Sequence, residues 1–194
     1  MIKKIILASK SRVRSDILLS NGFIHEIFPS NVDEESVKAT LSKNNASAEQ
    51  ISKNLAELKA NKVSLKFVDR LVLGADSVIS LEGKIISKPK NRKEALNILK
   101  SLNGKNHELI SSVCISMGGK MIWNFTDRAK LTMKMFSCLE LEEYLSKISD
   151  DALYAYNVYQ IEGLGKDLFS NIQGDKDTIM GLPIKKIKEY LNNY

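Results

Sequence analysis

Cysteine is scarce: Cys114 and Cys138 are the two in 194 residues. Two cysteines cannot make a disulfide framework, and their settings in apolar or strand-like stretches suit buried thiols of a reducing compartment better than a zinc site. Long apolar runs are missing as well. Nothing approaches the about 18 consecutive apolar residues of a membrane-spanning helix, and the opening MIKKIILASK turns polar too early for a secretion signal. The expectation is a cytoplasmic protein with no membrane partner. Aromatic residues are 7% of the chain, which leaves few platforms for stacking bases. Neither the Walker P-loop nor the dinucleotide-binding glycine fingerprint occurs, so motor ATPases and nicotinamide dehydrogenases lose their support. His107 has no Cys or second His at ligand spacing, and a metal role for it is not expected.

What is present is enough for a globular core. Hydrophobic residues make up 43%, and the chain is read as a single domain over 1–194. A net charge of +6 suits nucleic acid, a membrane surface or a phosphorylated small molecule, and does not choose among them.

The pattern predicts a strand at about 3–8 and a helix at about 12–21 ended by Asn21-Gly22. A second strand is expected in FIHEIFPS, and SNVDEESVKATLSKNNAS reads as a surface loop with little fixed structure. Ser47 and Gln50 have capping-box spacing before a helix to about 66. LVLGADSVIS reads as a buried strand, and LEGK as a hairpin turn into IISKPK. Further helices are expected after Asn91, after Ser137 and from Pro183, with strands in HELISSVCISM, MIWNF and RAKLTMKMF.

Chemistry gathers at two places. Ser9, Ser11 and Arg14 surround the start of the first helix, where free backbone amides and a partial positive charge suit a phosphate, although a plainly capped helix has the same look. Asp76 stands in the apolar middle of a strand, where a carboxylate is costly without a cation, metal or donor. Lys88 follows across the hairpin. Glu34, Glu35 and Lys59 read, taken alone, as solvated charge.

The order of motifs resembles the Maf family of nucleotide pyrophosphatases. LASKSRVRSDIL is similar to its LASxSPRRxELL opening, VDE to its acidic loop and LAELKA to its LAxxKA helix. GADSV is similar to GADTV, SKP to GKP, SLNGKNHELISSV to LSGxxHxVxTxV, and IEGLG and GLP to the closing IQGxG and GLP. The resemblance implies an α/β fold with a central mixed, curved β-sheet flanked by helices and two lobes with a cleft between them. It also implies hydrolysis of a nucleoside triphosphate to the monophosphate and pyrophosphate with a divalent metal cation, Mg2+ or Mn2+. By position, Ser9 and Arg14 would hold phosphate, and Lys59 and Lys88 would neutralise the triphosphate. Asp76 would accept the proton from water, and Glu34 and Glu162 would stand with it at the metal. Four positions depart from the family pattern: Arg12 for Pro, Val13 for Arg, Ser77 for Thr and Glu162 for Gln. Val13, Ser77 and Glu162 are where the family's branches differ in substrate choice. Glu162 leans away from the dTTP/UTP type, and the 7-methyl-GTP type is matched only in part.

Two other readings stay open. One is a basic nucleic-acid-binding module gripping phosphates through Arg12 and Arg14, disfavoured by the few aromatics and the buried Asp76. The other is a regulatory cell-division protein acting through a partner surface. The partner expected is the small-molecule triphosphate, with a homodimer compatible and nucleic acid disfavoured.

Overall fold

In chain order the elements are β1 (Ile5–Leu7), α1 (Arg12–Ser20), β2 (His25–Ile27), α2 (Glu34–Lys43), α3 (Ala48–Ser64), β3 (Val72–Leu81), β4 (Lys84–Ile86), α4 (Arg92–Leu102), β5 (Asn106–Met117), β6 (Lys120–Met133), α5 (Cys138–Ser146), a 3-10 helix (Leu164–Leu168), β7 (Phe169–Gln173), α6 (Lys176–Ile179) and α7 (Ile184–Asn193). The structure is a computed structural model that describes residues 4–150, 153 and 158–194. Residue 3 of the expected first strand lies outside the described residues. The strands form a mixed, seven-stranded sheet in the order β2-β1-β3-β5-β6-β7, with β4 paired to β3. This is the expected α/β architecture.

Two compact units divide the chain. One comprises Met1–Val78, Ile110–Arg128 and Asp175–Tyr194; the other comprises Ile79–Leu109 and Ala129–Gly174.

In the first unit β1 pairs in parallel with β2 and with β3, so the crossovers α1 and α2–α3 are obligatory connections. Apolar side chains of β1, β3 and α3 meet in a cluster of Ile6, Ala8, Val63 and Val72, with Phe28 and Phe67 against it. Helix α1 starts on Ser11, whose Oγ accepts from Arg14 N, and ends as expected at Asn21 and Gly22, the latter at φ +80°. The expected loop after β2 is instead largely helical: Asp33 caps α2, and its Oδ1 accepts from Ser36 N at 3.1 Å. No residue of α2 is buried, so it has no apolar stripe for a periodicity argument to find. The capping box of Ser47 and Gln50 starts α3 as expected.

In the second unit Glu82 and Gly83, both at positive φ, turn β3 into the antiparallel β4. Asn91 caps α4, the Ser137–Glu140 capping box opens α5, and the two helices pack together. Arg92 reaches from α4 to the carbonyls of Leu145 and Ile148, at 2.7 and 2.8 Å, satisfying acceptors at the end of α5. Cys138 is exposed as the first residue of α5, which corrects the expectation of a buried thiol; Cys114 is buried. The two strands expected in MIWNF and RAKLTMKMF are one strand, β6. The polar pair between them, Thr126 and Asp127, belongs to the strand, with its side chains bonded to those of Ser112 and Thr178.

His107 of the second unit is 2% exposed, with Nε2 at 2.9 Å from the Tyr159 hydroxyl and Phe169 beside the ring. Burial holds the imidazole neutral, its pKa brought down to about 4 from the ordinary 6.5. Between those values the unfolded chain takes up a proton that the folded one does not, so stability falls as pH falls through this window, by up to about 3 kcal/mol. We expect the stability difference between wild type and His107→Gln, from urea unfolding across that window, to shrink as pH is lowered. A difference that does not change with pH would show that His107 is not the group responsible.

Candidate active site

The centre of the first unit is an ammonium ion between two carboxylates. Lys59 projects from α3 with its Nζ 2.7 Å from Asp76 Oδ1 and 2.8 Å from Glu34 Oε1. Lys59 and Asp76 are 4% and 3% exposed, while Glu34, in the first turn of α2, is half-buried. The close approach of α3 to β3 depends on Gly74, where a Cβ would lie 2.2 Å from the Ala56 carbonyl oxygen and 2.7 Å from Ala60 N. Ser52, also on α3, donates to the Asp76 backbone carbonyl at 3.1 Å. Burial raises the Asp76 carboxyl above its usual range, Glu34 adds to this, and Lys59 and Arg14 oppose it. For Glu34, burial is the largest single influence and acts to raise the pKa, but the charge and hydrogen bond of Lys59 together with the charges of Lys38 and Arg14 outweigh it, and the carboxyl lies below its usual range. Asp76 Oδ2 is buried with no hydrogen-bond partner in the structure.

A second cation stands next to the first. Arg14 Nε donates to Gly181 O at 2.9 Å, Nη1 to Ala75 O at 2.9 Å and to Ser9 Oγ at 3.3 Å, and Nη2 to Ser77 Oγ at 3.2 Å. Four of the roughly five guanidinium N–H groups are thereby used, and one on Nη2 remains. Lys59 Nζ is 3.5 Å from the same Ala75 carbonyl, so both cations converge on one backbone oxygen. Burial lowers the Arg14 pKa, and the charges of Asp76 and Glu34 act against that. Ser9 Oγ accepts from Arg14 Nη1 and from Ser11 N at 3.2 Å, which leaves its own hydrogen available.

A family model described as Maf-like protein matches residues 4–194. The chain belongs to the Maf family. Among curated relatives, a Pelagibacter ubique protein named nucleoside triphosphate pyrophosphatase is 69% identical over 98% of each chain. A Ruegeria protein of the same name is 37% identical over 98% of this chain and 96% of its own. A Rhizobium etli protein named 7-methyl-GTP pyrophosphatase is 36% identical over 95% of this chain and 92% of its own.

In this Maf chain the structure brings Ser9, Ser11, Arg14, Glu34, Lys59, Asp76 and Ser77 together in the first unit. Ser11 acts there as the helix cap. Val13 is buried on α1, and Ser77 is held by Arg14 and Ser111. Lys88 and Glu162 belong to the second unit, both exposed, with Glu162 accepting from Gln160 Nε2 at 3.2 Å. Three contributors escaped the sequence reading: Ser52, the Gly181 carbonyl, and Ser111, which bonds both Ser77 and the Thr178 carbonyl. Both of the last two carried a signal: Gly181 stands in the GLP motif, and Ser111 stands at the Thr position of the segment similar to LSGxxHxVxTxV.

Removing the cation leaves two carboxylates facing each other around an apolar stem. Lys59→Met is expected to lower unfolding free energy at neutral pH by about 3–5 kcal/mol. Adding Asp76→Asn should restore part of that loss, because the uncompensated buried charge is then gone. Denaturant titration of both variants checks this, and a single mutant as stable as wild type would contradict it.

Proposed function

We propose that the chain, acting as one domain, is a nucleoside triphosphate pyrophosphatase that releases the monophosphate and pyrophosphate. The observation that carries the reading is the buried Asp76 carboxylate, one oxygen fixed by Lys59 and the other unpartnered, beside a guanidinium with a donor to spare. A nucleic-acid clamp has no use for such a carboxylate; a hydrolase needs a base.

In the proposed reaction a water oxygen forms a bond to the α-phosphorus while the bond from that phosphorus to the α,β-bridging oxygen breaks. The leaving pyrophosphate keeps the electron pair of the broken bond, and the water proton passes to Asp76 Oδ2. Lys59 holds the carboxylate in place through Oδ1 so that Oδ2 faces the water. Growing negative charge on the phosphates is met by Lys59, by the remaining N–H of Arg14 and by the Ser9 hydroxyl at the start of α1. Burial of Asp76 raises its proton affinity toward the range useful to a general base.

The unpartnered Oδ2 and the neighbouring Glu34 fit a hard divalent cation of the kind that takes one or two carboxylates and completes its shell with water and phosphate oxygens. Mg2+ or Mn2+ held there would supply charge neutralisation and a more acidic water. Among the described residues, no group of three or more acidic, His or Cys side chains forms a ready-made cage. For Lys88 in charge neutralisation, for Glu162 at the metal, and for Val13, Ser77 and Glu162 in base choice, the proposal rests on motif position. The names of the relatives point to both general triphosphate and 7-methyl-GTP substrates, and Glu162 favours the latter direction.

Asp76→Asn is expected to fold and to lose at least about 100-fold in kcat, the scale of a general base; product analysis with a panel of triphosphates and Mg2+ checks both the reaction and the loss. Near-normal turnover by the folded variant would remove Asp76 from the chemistry. Glu162→Gln is expected to reorder kcat/KM among UTP, dTTP, GTP and 7-methyl-GTP by roughly tenfold or more, because an acceptor becomes a group that also donates. An equal drop for all four would leave Glu162 out of base selection.

A further inference from the structure

Each hydroxyl behind Arg14 has one hydrogen to give, and the geometry determines where it goes. Thr178 O is a carbonyl and only accepts, so its 2.7 Å contact with Ser111 Oγ takes the Ser111 hydrogen. Ser111 then offers only lone pairs to Ser77 Oγ at 2.8 Å, so Ser77 gives its hydrogen to Ser111. Ser77 Oγ is left as a pure acceptor toward Arg14 Nη2. On the other side of the guanidinium, Nε donates to Gly181 O, and Gly181 N donates to the same Thr178 carbonyl at 3.0 Å. The bonds therefore close a ring from Arg14 through Ser77, Ser111, Thr178 and Gly181 back to Arg14.

We propose that Ser111 is a positioning residue for Arg14: it closes this ring and turns the Ser77 lone pairs onto the guanidinium. Ser111 and Thr178 are each 0% exposed, so water cannot take over the missing link. Thr178 is itself fixed, its Oγ1 donating to Asp127 Oδ2 at 2.6 Å. Gly181 can close the ring because it sits at φ +94°, and a Cβ there would lie 3.0 Å from Ser77 Oγ and 3.3 Å from Arg14 Nε. With Ser111 lost, the Ser77 hydroxyl rotates freely and can point its hydrogen at the cation, and the two sides of the guanidinium are no longer tied to each other. The effect on catalysis rests on the reading that Arg14 meets substrate phosphate.

The test combines steady-state hydrolysis of a nucleoside triphosphate by wild type, Ser111→Ala, Ser77→Ala and the double variant with 15N NMR of the Arg14 side chain. Loss of a fixed charge-assisted contact is expected to raise KM roughly tenfold in Ser111→Ala, with kcat changed by less than about threefold. The double variant is expected to be no worse than the worse single variant, since both break one ring. Exchange protection of the Arg14 Nε–H is expected to drop in both single variants. A fall in kcat at unchanged KM, the signature of a smaller folded fraction, would overturn the proposal, as would single-variant effects that multiply in the double. If wild type hydrolyses no nucleoside triphosphate, the pyrophosphatase reading fails and the NMR arm alone decides: retained Nε–H protection in Ser111→Ala overturns the positioning role, and its loss upholds it.

Discussion

A lysine ammonium shared by two carboxylates in a nearly dry setting is the constraint from which the first unit's construction follows. Moving Lys59 and Asp76 out of water costs several kcal/mol per ion, and Coulomb attraction offsets this only at contact distance and with further hydrogen bonds. The structure supplies both, at 2.7 and 2.8 Å. To reach that distance α3 must lie on β3 with no side chain between them, which is the reason for glycine at 74. To bring in the second carboxylate the chain before α3 must itself be ordered, which is what the Asp33-capped α2 achieves. One oxygen of Asp76 still has no partner, a cost of the kind proteins keep at places where chemistry is done.

Local signals were read well because they act through local physics. The caps at Ser47, Asn91 and Ser137 and the Glu82-Gly83 turn are each satisfied within four residues of chain, and each is found as the spacing predicts. Asp76 was conspicuous because a carboxylate amid Val, Leu, Ala and Ile contradicts its surroundings. What escaped was set by distant packing. Helix α2 buries no residue and so left no periodic mark; Cys138 sits beside apolar neighbours but on the exposed first turn of a helix. Lys59 and Glu34 looked like solvated charges, and only the motif resemblance drew attention to them. The partners of Ser111, Ser77 and Thr178, come from two distant stretches of sequence.

The two arginines of the opening motif show how one segment divides its labour. Arg12 is solvent-exposed and meets Asp16 one helical turn on, at 3.8 Å, an arrangement that contributes little. Arg14, two positions later, turns inward to four acceptors from three parts of the chain. A surface that binds nucleic acid by backbone charge would present both. The inward one is instead a fixed positive point with one N–H to spare, suited to a small anion delivered to it.

The Arg14 ring also has a direction in time. Its members are numbered 14, 77, 111, 178 and 181, and the Nε–Gly181 bond alone spans 167 residues. A chain made from its N-terminus folds β1 and α1 long before Thr178 and Gly181 exist, so during synthesis the guanidinium waits without the Gly181 carbonyl, and Ser111 without its Thr178 acceptor. Closure of the ring is thus postponed to the last stage of translation, and an incomplete chain that stops short of the GLP turn holds Asp76 and Lys59 without the full set of bonds on Arg14.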